Sequence, residues 1–150
     1  MSISVMGCRN ALAMAICFGM AAAAFAADIG QIKIAKGQVS IERQGKTVPA
    51  TVGARLQTSD IVKTGADGSV GITMDDDSLL SAGPNSALSL DHFSFDSTTN
   101  QGRLDTSLNK GTLAVISGRI AKQTPDAMTV RTPTAILGVR GTEFVVSAND

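Results

Sequence analysis

Apolar and polar residues alternate along most of the chain that follows residue 30. Alternation with a period of two places every second side chain on the same face, as in a β-strand with one buried side. The positions that share a face in this way are Ile32 and Ile34, Val39 and Ile41, Val70, Ile72 and Met74, Leu88 and Leu90, Phe93 and Phe95, Leu113 and Val115, and Met128 and Val130. The pattern predicts about a dozen strands of roughly 4–6 residues and no amphipathic helix.

Turn-forming residues separate these runs. The clearest breaks contain Gly, Asp, Asn or Pro, the residue types that tight turns require, and they span 65–68, 75–78, 83–86 and 109–111. Pro133 marks a further turn between two strands. The longest polar breaks, 96–107 and 121–126, are interpreted as solvated connections. Short strands joined by such turns indicate an all-β sandwich, barrel or solenoid.

The first 26 residues have the features of a secretory signal peptide. Arg9 is followed by an apolar run over 11–24, and Ala24 and Ala26 form a small-residue cleavage site. The run is shorter than the roughly 20 residues that a membrane-spanning helix needs. We therefore predict cleavage of residues 1–26, a single domain over 27–150, a periplasmic or secreted location, and no stable membrane span after cleavage.

The composition excludes several kinds of chemistry. Both cysteines, Cys8 and Cys17, lie in the predicted signal peptide, so the mature domain has no disulfide and no thiolate ligand. The 13 basic residues balance the 13 acidic ones without a basic cluster, which argues against nucleic-acid binding. His92 is the only histidine, so we predict no catalytic residues, no cofactor and no enzyme activity. The three aspartates at 75–77 suit a turn better than a metal site, and no metal is predicted.

Arg140 lies between two glycines in the closing segment of the chain, 130–147. Two roles for Arg140 are considered. In the first, Arg140 forms a structural ion pair with an acid from another strand, Asp60 or Glu143, and Arg140→Met lowers the melting temperature. In the second, Arg140 and Arg131 together form an anion site for a ligand. The structural ion pair is the preferred hypothesis.

Four motifs follow one another along the chain. Their residues are Gly53, Leu56, Asp60, Val62, Thr64 and Gly65; Asp77, Ser78 and Leu80; Pro84, Asn85, Ser86 and Leu88; and Val130, Thr132, Pro133, Ala135, Gly138, Val139, Arg140, Gly141, Thr142 and Phe144. The order of these motifs resembles that of the FecR-like domain, the periplasmic domain of the iron-dicitrate regulator family. The resemblance extends over about residues 30–147, and the last motif is the most specific one.

The resemblance implies an all-β stack of short strands, solenoid-like or sandwich-like. Full-length members resemble membrane regulators, with a cytoplasmic segment that acts on a sigma factor, one membrane helix, and this domain outside. There the domain receives a signal from the plug extension of an outer-membrane transporter. This chain departs from that plan, because we predict neither a cytoplasmic segment nor, after cleavage, a membrane helix. No catalytic residues are associated with the family, and none is carried over.

We therefore expect an exported interaction or sensing module that binds another envelope protein through an exposed sheet edge or through loops. The alternative is a binder of an envelope glycan or of another small polar ligand, and a structural role in a surface assembly comes third. The identity of the partner, a part in iron signalling and the oligomeric state are left open.

Overall fold

The computed structural model describes residues 26–140 and 143–149. These residues form twelve strands and one short helix, α1 (Arg119–Gln123), which confirms the all-β class. The strands are β1 (Asp28–Lys36), β2 (Val39–Arg43), β3 (Lys46–Pro49), β4 (Arg55–Gln57), β5 (Ile61–Thr64), β6 (Ser69–Met74), β7 (Leu79–Ala82), β8 (Ala87–Phe95), β9 (Gly102–Ile116), β10 (Met128–Arg131), β11 (Ile136–Gly138) and β12 (Glu143–Ala148). The predicted signal peptide lies, apart from Ala26, outside the described residues. Within the described ranges, no helix is long and apolar enough to cross a membrane.

The longest strand, β9, joins two halves of one curled sheet. Its first part pairs with β8 and, in parallel, with β10, and its last part pairs with β7 and β12. The first half of the sheet has the order β4-β1-β6-β7-β9-β12, and the second half has the order β3-β2-β5-β8-β9-β10-β11. All pairings except that of β9 with β10 are antiparallel, which corresponds to the sandwich-like alternative, because the coils of a solenoid stack their strands in parallel. Since β9 begins at Gly102, the predicted connection over 96–107 is shorter than expected.

Strand β9 changes partners at Gly111. Lys110 is the last residue opposite β8, whereas Gly111 already faces Ala148 of β12. The φ angle of Gly111 is +92°, in the left-handed region that glycine adopts without a steric penalty. A Cβ atom at this position would overlap both the backbone and the side chain of Ser86. The bend that carries β9 from one half to the other therefore requires glycine.

The two halves enclose one hydrophobic core. Every second residue of a strand points into it, as the alternation predicts for β6, in which Val70, Ile72 and Met74 are buried. The predicted inward pairs of β9 and β10 are buried in the same way. Buried apolar residues from both halves belong to a single cluster. The core therefore depends on the folding of one half over the other.

Two shifts in strand register change the faces on which side chains lie. The alternation predicts Ile34 on the same face as Ile32, but the pairing of β1 with β6 shifts between these residues. Ile32 is buried, whereas Ile34 is 53% exposed, so the prediction for Ile34 is wrong. A second shift, between Leu90 and His92 in β8, leaves His92 exposed and returns Phe93 to the core side.

The helix α1 begins before, and extends into, the stretch 121–126 that the sequence predicts as a solvated connection. That prediction is wrong for its first residues, because 121–123 are helical and Ala121 is buried. The carboxylate of Asp76 accepts a hydrogen bond from the backbone N–H of Ile120 (3.3 Å), and the Asp76 carbonyl accepts one from that of Arg119 (2.8 Å). A helix this short has little stability of its own. Tertiary hydrogen bonds, which local periodicity does not report, hold it in place.

Replacing Thr106 with valine is expected to stabilise the protein. The hydroxyl of Thr106, in the middle of β9, is buried and forms no hydrogen bond, so it is desolvated without compensation. Valine has nearly the same shape, and we expect the free energy of unfolding to rise by about 1 kcal/mol in urea denaturation. Thr129→Val is the control, because the Thr129 hydroxyl donates a hydrogen bond to Asp105. A loss of stability in both variants would contradict the prediction.

Candidate interaction edge

Asp60 is a structural residue in the second half of the sheet. Its carboxylate is fully buried and accepts two hydrogen bonds from the guanidinium of Arg43, from Nε at 2.9 Å and from a terminal nitrogen at 2.7 Å. It also accepts the backbone N–H of Gln57 (2.8 Å), which closes the turn between β4 and β5. The hydrogen bond with Asp60 raises the pKa of Arg43 above its ordinary value, so the guanidinium of Arg43 stays charged. Asp60 is therefore not free to contact a ligand.

Thr64 and Ser86 connect two further motifs of the sequence. The Thr64 hydroxyl donates to the carbonyl of Gly83 (2.6 Å) and accepts the backbone N–H of Ser86 (2.9 Å). The hydroxyl of Ser86 in turn accepts the backbone N–H of Thr112 in β9 (3.1 Å). These bonds tie β5, β9 and the turn before β8 together. The polar residues of both motifs are thus occupied in holding the fold.

Asp76 and Ser78 form a third buried polar group. The Asp76 carboxylate accepts hydrogen bonds from the hydroxyl (2.7 Å) and the backbone N–H (3.1 Å) of Ser78, whose hydroxyl accepts the N–H of Gly118 (2.9 Å). Asp77 is exposed and pairs with Arg119. The aspartates at 75–77 therefore lie in a turn, as predicted. Among the residues that the structure describes, no three Asp, Glu, His or Cys side chains are grouped so that they could hold a metal ion.

Arg140 contacts neither the interior nor Asp60. Its guanidinium donates to the carboxylate of Asp126 at 3.2 and 3.3 Å, and the two side chains are 78% and 75% exposed. The predicted pair of Arg140 with Asp60 is wrong, because Arg43 already occupies the Asp60 carboxylate. The predicted pair with Glu143 is not the one observed either. An ion pair as exposed as Arg140–Asp126 contributes little to stability.

The structure does not bring Arg140 and Arg131 together. Arg131 faces Ile136 at one end of the β10–β11 pair, and Arg140 follows the other end of β11. The four residue steps from Ile136 to Arg140 correspond to about 13 Å of extended chain. An anion site that uses both guanidinium groups is therefore not formed. Glu143, the remaining candidate, is exposed at the start of β12 and faces Ile116 of β9.

The open feature of this region is the edge formed by β12. Among the described residues, β12 pairs only with β9, and β11 pairs only with β10. Strand β12 is the outermost strand of the first half, and β11 is the outermost strand of the second half. Both lie on the same side of β9. Outer edges of this kind present backbone N–H and C=O groups that another strand can pair with.

An apolar cleft of about 250 Å³ lies between these two edges. It is lined by Leu137, Gly138, Val139, Arg140, Phe144, Val145 and Val146. Val139 and Val146 are buried members of the core, and Phe144 is half-buried against it. The cleft is thus a place where the core can be reached from the strand edge. Arg140, a predicted site residue, belongs to its lining.

The polar motif residues form hydrogen bonds that hold turns. Strand β12, by contrast, presents an exposed strand edge beside an apolar cleft. These features define a small all-β domain with an apolar cleft at its edge. A family model described as FecR protein matches residues 60–150, and the chain belongs to that family. The match begins at Asp60 and includes β12 and the cleft. No curated protein and no solved structure matches the chain.

Membership of the FecR family confirms the resemblance seen in the sequence motifs. It indicates a regulatory or sensing module in an envelope-associated family that is regulatory rather than enzymatic.

Proposed function

We propose that the protein is an exported, non-catalytic sensing module that binds an extended segment of another envelope protein along β12. The observation that carries this proposal is the apolar cleft beside the unpaired edge of β12. An incoming strand forms backbone hydrogen bonds with such an edge, and pockets for its alternate side chains provide specificity. The predicted signal peptide supports export to the compartment in which such a partner resides.

The cleft allows β12 to select the segment that it binds. A strand paired with β12 directs every second side chain to the core side of the first half, where Phe144 and Val146 lie. An apolar side chain of the bound strand that points to this side enters the cleft and contacts Val139 on the opposite wall. Arg140 at the same cleft provides a positive charge for an acidic residue of the partner. We therefore expect the bound segment to combine an apolar residue with a neighbouring acidic one.

The aromatic residues favour a protein partner over the alternative, an envelope glycan. Flat aromatic side chains are the usual platforms on which rings stack. The phenylalanines among the described residues, Phe93, Phe95 and Phe144, are half-buried and pack against the core. The chain has no tryptophan or tyrosine that could replace them. Backbone pairing at β12, by contrast, needs no aromatic side chain.

Filling the cleft tests the proposal. A Cβ atom at Gly138 meets no atom within 4 Å, so Gly138→Phe is expected to occupy the cleft without unfolding the domain. A photoreactive residue in place of Leu137 should crosslink one envelope protein in cells. We expect Gly138→Phe to abolish that adduct and to weaken binding of the purified partner at least about tenfold.

The matched control is Ala135→Phe, which places the same side chain on an exposed position of the same hairpin but outside the cleft. It should leave the adduct and the affinity unchanged, and circular dichroism should show both variants folded. A partner that binds Gly138→Phe with full affinity would refute binding at the cleft. Sedimentation with purified cell wall that depends on Gly138 would favour the glycan alternative instead.

A further inference from the structure

The outer faces of the two halves differ in their chemistry. The outer face of the second half is charged: Lys63 pairs with Glu42, Arg103 pairs with Asp105, and Arg131 is exposed. Such a face is well solvated as it is. The outer face of the first half, on the opposite side of the core, carries large apolar side chains.

We call this outer surface of the first half the apolar outer face. Its middle is a row of residues that runs across the strands. Direct pairing places its residues side by side from β1 to β12, in the order Ile34, Gly71, Ser81, Ala114 and Val145. Ile34 is 53% exposed and Val145 is 65% exposed at the two ends of the row. The three residues between them are small, so the row is a shallow trough with an apolar side chain at each end.

The neighbouring row adds two more exposed apolar residues. Leu79 of β7 faces Ile116 of β9, which in turn faces Glu143 of β12. Leu79 and Ile116 are 40% and 44% exposed. A contiguous patch of this kind on a sheet face marks an interaction surface.

At the β1 and β12 margins of the apolar outer face, the charged residues have opposite signs. Lys33 and Lys36 lie on β1, and the Lys33 ammonium donates a hydrogen bond to Gln31 Oε1 in the row of Leu79 (2.7 Å). Glu143 lies in that same row on β12, at the other margin. In the described part of the chain, neither Lys36 nor Glu143 forms an ion pair.

We propose that the apolar outer face binds the same face of a second copy of this chain. A two-fold axis parallel to the central strand β7 places β1 of each copy over β12 of the other. Glu143 then faces the margin that carries Lys33 in the partner copy, twice by symmetry. Ile34 faces Val145 in the same way. The distribution of charge is therefore complementary to itself, which a surface for an unrelated partner has no reason to be.

The size of the face sets the strength of this dimer. Five strands at about 4.8 Å spacing, over the length of the six-residue strands β6 and β12, cover roughly 24 by 20 Å. Each copy therefore contributes about 500 Å², and the pair about 1,000 Å², the lower limit for a specific interface. We expect a reversible dimer with a dissociation constant on the order of 10–100 μM. Val145 belongs both to this face and to the lining of the cleft, so the two surfaces adjoin along β12.

Sedimentation equilibrium of the purified protein over a range of concentrations tests the proposal. We expect a monomer–dimer equilibrium that Val145→Lys weakens at least about tenfold, because the new ammonium loses its solvation at the contact. Ile136→Lys is the matched control, since Ile136 on β11 is 66% exposed but belongs to the second half. Ile116→Lys provides a second disruption at the centre of the face, and thermal unfolding shows whether each variant is folded.

Reversal of charge tests the orientation of the two copies. At low ionic strength, Glu143→Lys alone and Lys33→Glu with Lys36→Glu should each weaken the dimer about threefold or more, because like charges then face each other. Combining all three substitutions should restore the original affinity.

Two results would overturn the inference. One is a monomer at all concentrations up to about 1 mM, including the case in which an unrelated envelope protein binds this face. The other is a dimer that Ile136→Lys weakens as much as Val145→Lys. Gly138→Phe should leave the dimer intact, so failure of the dimer and failure of strand addition at the cleft are separate outcomes.

Discussion

Replacing Arg43 with methionine is expected to lower the free energy of unfolding by about 3–5 kcal/mol. The substitution leaves the carboxylate of Asp60, which has no solvent exposure, without its guanidinium partner. The backbone N–H of Gln57 remains as one donor to Asp60, but a single neutral donor does not replace two charge-assisted hydrogen bonds. The turn between β4 and β5 should loosen as a result.

Arg140→Met is the matched control for this prediction. It removes the same group from an ion pair whose two side chains are 78% and 75% exposed, so the expected change is below about 0.5 kcal/mol. Urea denaturation of both variants, followed by circular dichroism, gives the comparison. Equal losses of stability would mean that the Arg140–Asp126 pair has a structural role that its exposure does not suggest. This expectation of almost no change replaces the sequence-based expectation that Arg140→Met clearly lowers the melting temperature.

Gly111→Ala is expected to destabilise the protein by about 3 kcal/mol or more. Two effects add at this position. The φ angle of +92° is strained for any residue with a Cβ atom, and that atom would overlap Ser86. Relief of the overlap requires a shift of Ser86, whose hydroxyl receives the N–H of Thr112. The loss should therefore extend to both halves of the sheet.

Gly45→Ala separates the two effects. Gly45 has a similar φ angle of +75°, but a Cβ atom there meets nothing within 4 Å. Its cost should be only the backbone strain, about 1 kcal/mol. Thermal or urea unfolding of both variants measures the difference. If the two alanine variants lose the same stability, the close contact with Ser86 does not determine the conformation of β9.

Local sequence patterns were sufficient for the strands and for several turns. Val70, Ile72 and Met74 are buried because a period of two follows from strand geometry alone. Pro133 lies in the turn between β10 and β11 for an equally local reason, its missing backbone donor. The same rule failed for Ile34, because a register shift depends on the partner strand β6. It also failed for α1, which Asp76 holds from a distant turn.

Local sequence patterns predicted the candidate site only in part. The closing motif identified Arg140 and Glu143 as residues of interest, and both lie at the open end of the sheet, Arg140 in the cleft. Val139, Phe144 and Val146 fit the alternation that is typical of strands. That alternation does not show that two strand edges leave a gap between them. The partner of Arg140 was mistaken because an ion pair depends on which turns meet in space.

The all-β class and, through ordered motifs, membership of the FecR family followed from the sequence alone, since both depend on residue types at short spacing. It also determined that the chain has no thiol beyond Cys8 and Cys17 and only one histidine. The folded structure was needed to show that Asp60 pairs with Arg43, that β12 is an outer edge among the described residues, and that one outer face of the sheet is apolar. These features arise from residues distant in the chain, which meet because β9 bends at Gly111 and folds one half of the sheet over the other.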